Sequence, residues 1–351
     1  FSCENTSSLE VEAPEGWTTE TDLENNQLTV TAPMPDSQNP TLTGAVKVTP
    51  LSVRGTAGES SSISVELSTK MPVIQFAEPI DRFVFGEQRD IPCTMQYVDK
   101  CDITAPEGWT VELDIAASML KVTAPAEGVG IPAGTVTLDA VSAEELTESF
   151  ETQLSLKGIA TGDDFVAFGK AVTEAAPLDE FMQEGTVILL QDVDLSAFSQ
   201  TCFVGQAENP FTGTFDGNGK SVYGLTAALF GYTGEGALVK NVTVYGSNHA
   251  ADDKDTAPKG GISNQAYGSF EGCVSYMTIS AKWSVVGGIV GRLYAAGHIT
   301  DCANYGAISS NWTGADQNSP TYVAEVGGIA GSSSGPITRS FNAGAVTVAQ
   351  K

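Results

Sequence analysis

The chain has 351 residues, enough for two or three domains, each with its own core. Its formal net charge of −26 is spread over both halves and argues against a surface that attracts phosphate backbones or anionic lipid headgroups, so nucleic acid is not an expected partner. Only 17% of residues are charged and there are 37 glycines, but there is no apolar run of the roughly 18 residues a spanning helix needs, so an all-β, turn-rich chain that does not span a membrane is expected.

Two internal repeats fill the first half. Residues 13–33 read APEGWTTETDLENNQLTVTAP and residues 105–125 read APEGWTVELDIAASMLKVTAP, with 13 of 21 positions identical at a constant offset of 92. In Trp109-Thr110-Val111-Glu112-Leu113 apolar and polar residues alternate as on a half-buried strand, and Pro-Glu-Gly before each tryptophan is a turn signal. Strands about ten residues apart with such turns predict β-sandwiches, one over 1–70 and one over 71–158. The second copy opens near Pro72 with a segment for which the first has no counterpart, so the first is expected to be partial. Trp17 and Trp109 recur at one place in both copies and are expected as core anchors rather than sugar platforms.

None of the six cysteines lies in a C-x-x-C pair, which leaves zinc and redox-motif readings without support. Cys93 and Cys101 align with Phe1 and Leu9 of the first copy, positions that accept large apolar side chains, so buried free thiols are expected there.

Near residue 158 the pattern changes. Thr161-Gly162-Asp163-Asp164 followed by Phe165, Phe168, Ala171 and Val172 is a capping signal and then an apolar stripe, which predicts one short helix. Buried strands at 187–190 and 192–195 follow. From there glycine sets the rhythm in four aligned segments, 228–247, 260–280, 287–309 and 327–348. Such units predict a right-handed parallel β-helix, or solenoid, over 159–351. Its interior columns are Leu229, Ile262, Ile289 and Ile329; Val239, Phe270, Ile299 and Ile337; and Val242, Cys273, Cys302 and Ser340. Cys273 and Cys302 are column members close enough for a disulfide to be conceivable.

At this point a resemblance can be stated. FTGTFDGNGKSVYGL (211–225) followed by LFG and VKNVTV, and the GGIVG…HITDCANYGAIS and GGIAG…PITRSFNAGAV units, resemble the GLUG-motif proteins. The first half is similar to the Ig-like repeats of Bacteroidetes surface proteins, which share APEGW…LxVTAP. The resemblance implies an exported, surface-anchored, adhesin-like protein whose signal or anchor lies outside this chain. It says little about chemistry.

Catalytic readings are thin. Arg292, His298 and Asp301 share one unit, but His298 and Asp301 sit at offsets that point to different faces. His249 lies in a polar stretch with no evident partner. Asp216-Gly217-Asn218-Gly219-Lys220-Ser221 satisfies neither a phosphate loop nor a calcium loop and reads as a hairpin-like turn. Asp252, Asp253 and Asp255, interleaved with Lys254 and Lys259, read as a solvated acidic loop rather than a metal site.

No catalytic residue, metal or cofactor is therefore expected, and the chain is read as a monomer. Ligand contact is expected at two excursions, 248–259 and 310–326, the second carrying Trp312 and Tyr322, and at Trp283 just before the third glycine-rich unit, with an extracellular glycan or a surface protein as partner. The competing expectations are a carbohydrate-active β-helix enzyme or its binding subunit, and a structural piece of a surface assembly.

Overall fold

A computed structural model describes residues 6–33, 41–68, 70–77, 79–198, 202–250, 255–281, 284–310 and 325–348. Among the described residues the chain is all-β with one α-helix, and no helix is long and apolar enough to cross a membrane. It divides into two compact units: Phe1–Ile80, Gln88–Thr123 and Gly134–Leu154 in the first; Asp81–Glu87, Ala124–Ala133 and Ser155–Lys351 in the second.

The first unit is antiparallel. Its identities across the two repeats have local physical causes. In each copy a turn sets the tryptophan: the amide of Trp17 donates to the Pro14 carbonyl and that of Trp109 to the Pro106 carbonyl, both at 3.1 Å. The third residue of each turn must take a positive φ, and it is glycine, Gly16 at +83° and Gly108 at +84°. Each tryptophan leads into a hairpin, Thr18–Asp22 with Gln27–Thr31 and Thr110–Asp114 with Met119–Thr123. The shared aspartate holds each hairpin loop: Asp22 Oδ1 accepts the amides of Glu24 and Asn25, and Asp114 Oδ1 accepts that of Ala117, all at 3.0 Å.

The copies differ in what they bury. In the second, four strands (Val73–Phe76, Gln88–Gln96, Met119–Thr123, Thr110–Asp114) form one sheet and three (Thr147–Ser155, Ala133–Val141, Lys100–Thr104) another. Their inward residues, among them Ile74, Trp109, Leu120, Val122, Val136 and Leu138, are buried. In the first, Ser8–Glu12, Thr41–Leu51 and Ser61–Ser68 form a three-stranded sheet beside the two-stranded hairpin. Val46 is the one core residue among those whose side chains are described there, and Trp17 stays half-buried. Trp109 thus fits the core expectation and Trp17 only in part, because fewer strands cover it among the described residues of the first copy. Cys93 is a buried free thiol, whereas Cys101 is free but only half-buried.

The second unit opens with the helix Gly162–Thr173 at the expected place. Thr161 and Asp164 form a reciprocal capping box, and Phe165, Phe168 and Val172 are buried. Those phenylalanines meet Phe211 and Phe215 edge-on or stacked, with ring centroids 5.7–6.3 Å apart.

Beyond the helix the ladders are parallel, apart from the antiparallel pairing of Met182–Gln183 with Thr186–Ile188. One sheet of seven strands runs from Met182–Gln183 to Ile337–Thr338, one of five from Cys202–Val204 to Ala330–Ser333, and an eight-stranded sheet holds the rest of each rung, from Val193–Asp194 to Val346–Val348. A short ladder of Lys259–Gly260, Val286–Gly287 and Val326–Gly327 adds a fourth. The interior columns follow the register. Val187, Phe215, Val239, Phe270, Ile299 and Ile337 are consecutive partners; the first five are buried, whereas Ile337, expected inside, is exposed because no described strand pairs beyond it in that sheet. Leu229, Ile262 and Ile289 are fully buried one rung apart, and the amides of Ile262 and Ile289 donate to the carbonyls of Ile289 and Ile329.

Glycine is required where the rungs nearly touch. A Cβ at Gly306 would overlap the Met277 carbonyl, and one at Gly287 the Gly331 amide nitrogen of the next rung. At one corner the residues Asn241, Gly272, Asp301 and Arg339 all take positive φ, between 46° and 61°, so the same sharp bend is repeated rung after rung. The 216–221 segment forms the first such corner, with Asn218 at +50° and Gly219 at +70°. It is not a hairpin: its flanking strands, Thr214–Asp216 and Ser221–Leu225, belong to different parallel sheets.

Candidate ligand-binding surface

The three aromatic residues singled out from sequence, Trp283, Trp312 and Tyr322, lie outside the described residues, as do Asp252 and Asp253. Asp255 is described, and its carboxylate is held 2.8 Å from the ammonium of buried Lys259. No group of three or more metal-ligating side chains occurs among the described residues.

Arg292, His298 and Asp301 are drawn to separate partners. Arg292 pairs in register with Gln265 and Ser332. Asp301 accepts two 2.7 Å hydrogen bonds from the Arg339 guanidinium, which holds its carboxyl below the usual range. His298 Nδ1 lies 2.9 Å from the Ser269 hydroxyl and its Nε2 lies 3.1 Å from Glu271. That trio contains the residue types of a nucleophile, base and orienting acid. Ser269 also accepts the His298 backbone amide, so the three side chains brace two neighbouring rungs on an open face. His249 does have a partner: it ends a strand, and its Nδ1 lies 2.6 Å from Ser280 Oγ.

The feature that sequence reasoning missed is on the outer face of the eight-stranded sheet. Tyr223, Tyr245, Tyr276 and Tyr305 occupy one column on successive rungs. Their rings stack nearly parallel, tilted by 14°, 4° and 11°, with centroids 4.8, 4.8 and 5.0 Å apart. Phe341 closes the row edge-on to Tyr305 at 5.7 Å. The spacing is set by the parallel rungs themselves, about 4.8 Å apart. That exceeds the ~3.5–4.0 Å contact distance between carbon atoms, so the rings are offset like roof tiles and each keeps part of a face in solvent. Tyr223, Tyr276 and Tyr305 accordingly remain about 40% exposed (40%, 41% and 43%).

The surroundings of the row are dominated by hydroxyls. Along the strands Thr243–His249, Val274–Ala281 and Ile308–Ser310, side chains alternate between core and solvent. The outward polar ones beside the tyrosines are Ser221, Thr243, Ser247, Thr278, Ser280 and Ser309, with His249 at the border. Formal charge enters at the first rung, where Asp194 precedes Tyr223 in the column and Asp192 accepts the Ser221 amide at 2.8 Å. The seven-stranded sheet differs: there Asp216 pairs with Lys240 at 3.0 Å, and Glu271 with His298. In a chain with 43 acidic and 17 basic residues, strands 243–249, 274–281 and 308–310 contain neither kind; the five-stranded sheet is nearly as bare, with Arg292 the one charged residue in its strands. The sequence did hold a sign of it, a tyrosine immediately before a glycine at 223, 245 and 305.

No protein-family model matches the chain, and no curated protein matches it. Among solved structures it is similar to protocadherin gamma B7 extracellular cadherin domains 1–4 (11% identity, TM-score 0.22), covering 43% of this chain and 42% of that one. It is also similar to protocadherin gamma C5 EC1-3 (12% identity, TM-score 0.21), covering 43% of this chain and 55% of that one. The matches thus span about half of those chains.

Proposed function

We propose that the chain is an extracellular, cell-surface adhesin-like protein that binds a glycan or protein without catalysis, or spaces such a binding element from the surface. In this reading the repeats at 1–70 and 71–158 are Ig-like sandwiches, and 159–351 is a right-handed solenoid of the GLUG type, as the resemblance of its motifs implies. The observation that carries the reading is the tyrosine face: a rigid, flat, partly exposed aromatic row framed by hydroxyls is built for contact rather than for chemistry.

The test is an array of glycans and extracellular-matrix proteins probed with the purified chain and with a Tyr245→Ser/Tyr276→Ser double variant. Selective retention that the double variant loses supports the reading. Retention that it keeps moves contact off this face, and retention by nothing on the array leaves only the spacer role.

A further inference from the structure

We propose that the tyrosine face takes a neutral polysaccharide, laid along the row so that successive sugar rings meet successive rungs. This rests on the reading of that face as the contact surface and goes on to name its ligand.

Three observations point to this class. The first is periodicity. Four phenol rings repeat at 4.8–5.0 Å on successive rungs. An extended chain of pyranose rings repeats on nearly the same scale, so one polymer can engage several rungs at once and gain by multivalency. A protein surface that is not itself a stack of parallel strands has no such repeat to offer. It is also anchored by side chains that enter pockets, and this face is a flat sheet.

The second is charge. The strands that carry Tyr245 and Tyr276 offer no lysine or arginine to pair a uronate or sulfate, and the charges at the first rung are the carboxylates of Asp192 and Asp194. The chain carries −26 overall, which also repels anionic polymers. A neutral chain meets neither obstacle.

The third is the type of polar group. Phenol, serine and threonine hydroxyls both donate and accept, as sugar hydroxyls do. The offset rings leave apolar strips between those hydroxyls, to match the C–H faces of the sugars. The ligand is therefore polyhydroxylic, uncharged and linear.

The experiment uses the full chain in native affinity gels containing mixed-linkage β-glucan, xylan, mannan or polygalacturonate, followed by calorimetry with oligosaccharides of two to six units of whichever polymer retards it. The expected result is retardation by at least one neutral polymer and not by polygalacturonate. Affinity should rise with oligosaccharide length and fall about tenfold or more in Tyr245→Ser/Tyr276→Ser. Tyr245→Phe/Tyr276→Phe, which keeps the rings, should fall less. Circular dichroism establishes that each variant is folded, and Glu271→Gln on the charged sheet is the control.

Equal retardation by polygalacturonate overturns the proposal, as does neutral binding that ignores the tyrosine changes. If no neutral polymer binds while a matrix protein does so in a tyrosine-dependent way, the glycan assignment fails and the contact face stands. If the tyrosine changes affect no ligand of either kind, both fail.

Discussion

The backbone amide of Cys273 points at the sulfur of Cys302, 3.4 Å away on the next rung of the same column. Both thiols are free and buried, and the Cys273 thiol reaches back to the Val239 carbonyl. Burial, and then the contact with Cys302, pushes the Cys273 thiol well above the ordinary cysteine range. Because the thiolate is the reactive species, Cys273 should resist alkylation in the folded chain; the contact with Cys273 lowers the Cys302 thiol instead, and Cys302 is shielded by its burial alone. Among the thiols described as free (Cys93, Cys101, Cys273 and Cys302), half-buried Cys101 should be labelled first. Peptide mapping after a timed iodoacetamide pulse measures the order, and labelling of Cys273 as fast as Cys101 would show that the rungs open far more readily than this packing allows.

Phe270 is the mid-column residue between Val239 and Ile299 and is fully buried. Its replacement by alanine leaves a cavity between rungs that cannot collapse without breaking register. Phe270→Ala should cost about 3–5 kcal/mol of stability. Denaturant melts of the second unit's transition provide the number, and a loss below about 1 kcal/mol would contradict a rigid column.

Asp164 serves two partners. It closes the capping box with Thr161 and accepts a 2.7 Å hydrogen bond from Arg82. Burial raises its pKa, but the hydrogen bonds from Arg82 and Thr161 together lower it by more, and the net direction is down. The carboxylate therefore adds stability that is present above the unfolded value, about 3.9, and is lost as pH falls through the depressed folded value. Asp164→Asn should lower stability at neutral pH by about 2 kcal/mol and flatten the acid limb of the stability curve. Thermal melts from neutral to strongly acid pH test this; a variant whose acid limb is as steep as the parent's would assign that limb to other groups.

The parts of the fold that repeat were legible in the sequence. Glycines mark places where backbone meets backbone, so the glycine pairs at 260–261, 287–288 and 327–328 mark the same place on successive rungs. Ile262 and Ile289 then fall into register by counting. The tyrosine row was missed for a physical reason. Tyr223, Tyr245, Tyr276 and Tyr305 are 22, 31 and 29 residues apart, and they align only once the unequal excursions between rungs are subtracted. The sequence reading looked to the excursions that interrupt the repeats and so to Trp283, Trp312 and Tyr322, while the tyrosine row lies along the parallel strands. The 216–221 turn shows the same limit: its positive-φ residues were readable, but whether the chain returns antiparallel or turns a corner depends on which strands its flanks pair with.

The tyrosine row also has a titration signature. Tyr245 lies between Tyr223 and Tyr276, and its phenol is pushed above the usual tyrosine range, first by burial, then by the two neighbouring phenols and by Asp192. Ionising it places a negative charge where the adjacent phenols also ionise. A raised folded pKa means the neutral phenol is favoured by the fold, so this contribution is complete below the unfolded value, about 10, and disappears as pH rises through the raised folded value. Tyr267 is raised too, through its contact with Tyr294, so a late phase alone does not identify the row. The discriminating measurement is the difference between phenolate absorbance titrations of the parent and Tyr245→Phe. The difference should be a single group ionising above free tyrosine, and the parent should lose stability more steeply than the variant on the alkaline side. A difference curve centred at the value of free tyrosine would mean that the rings of Tyr223, Tyr245 and Tyr276 do not stay stacked in solution.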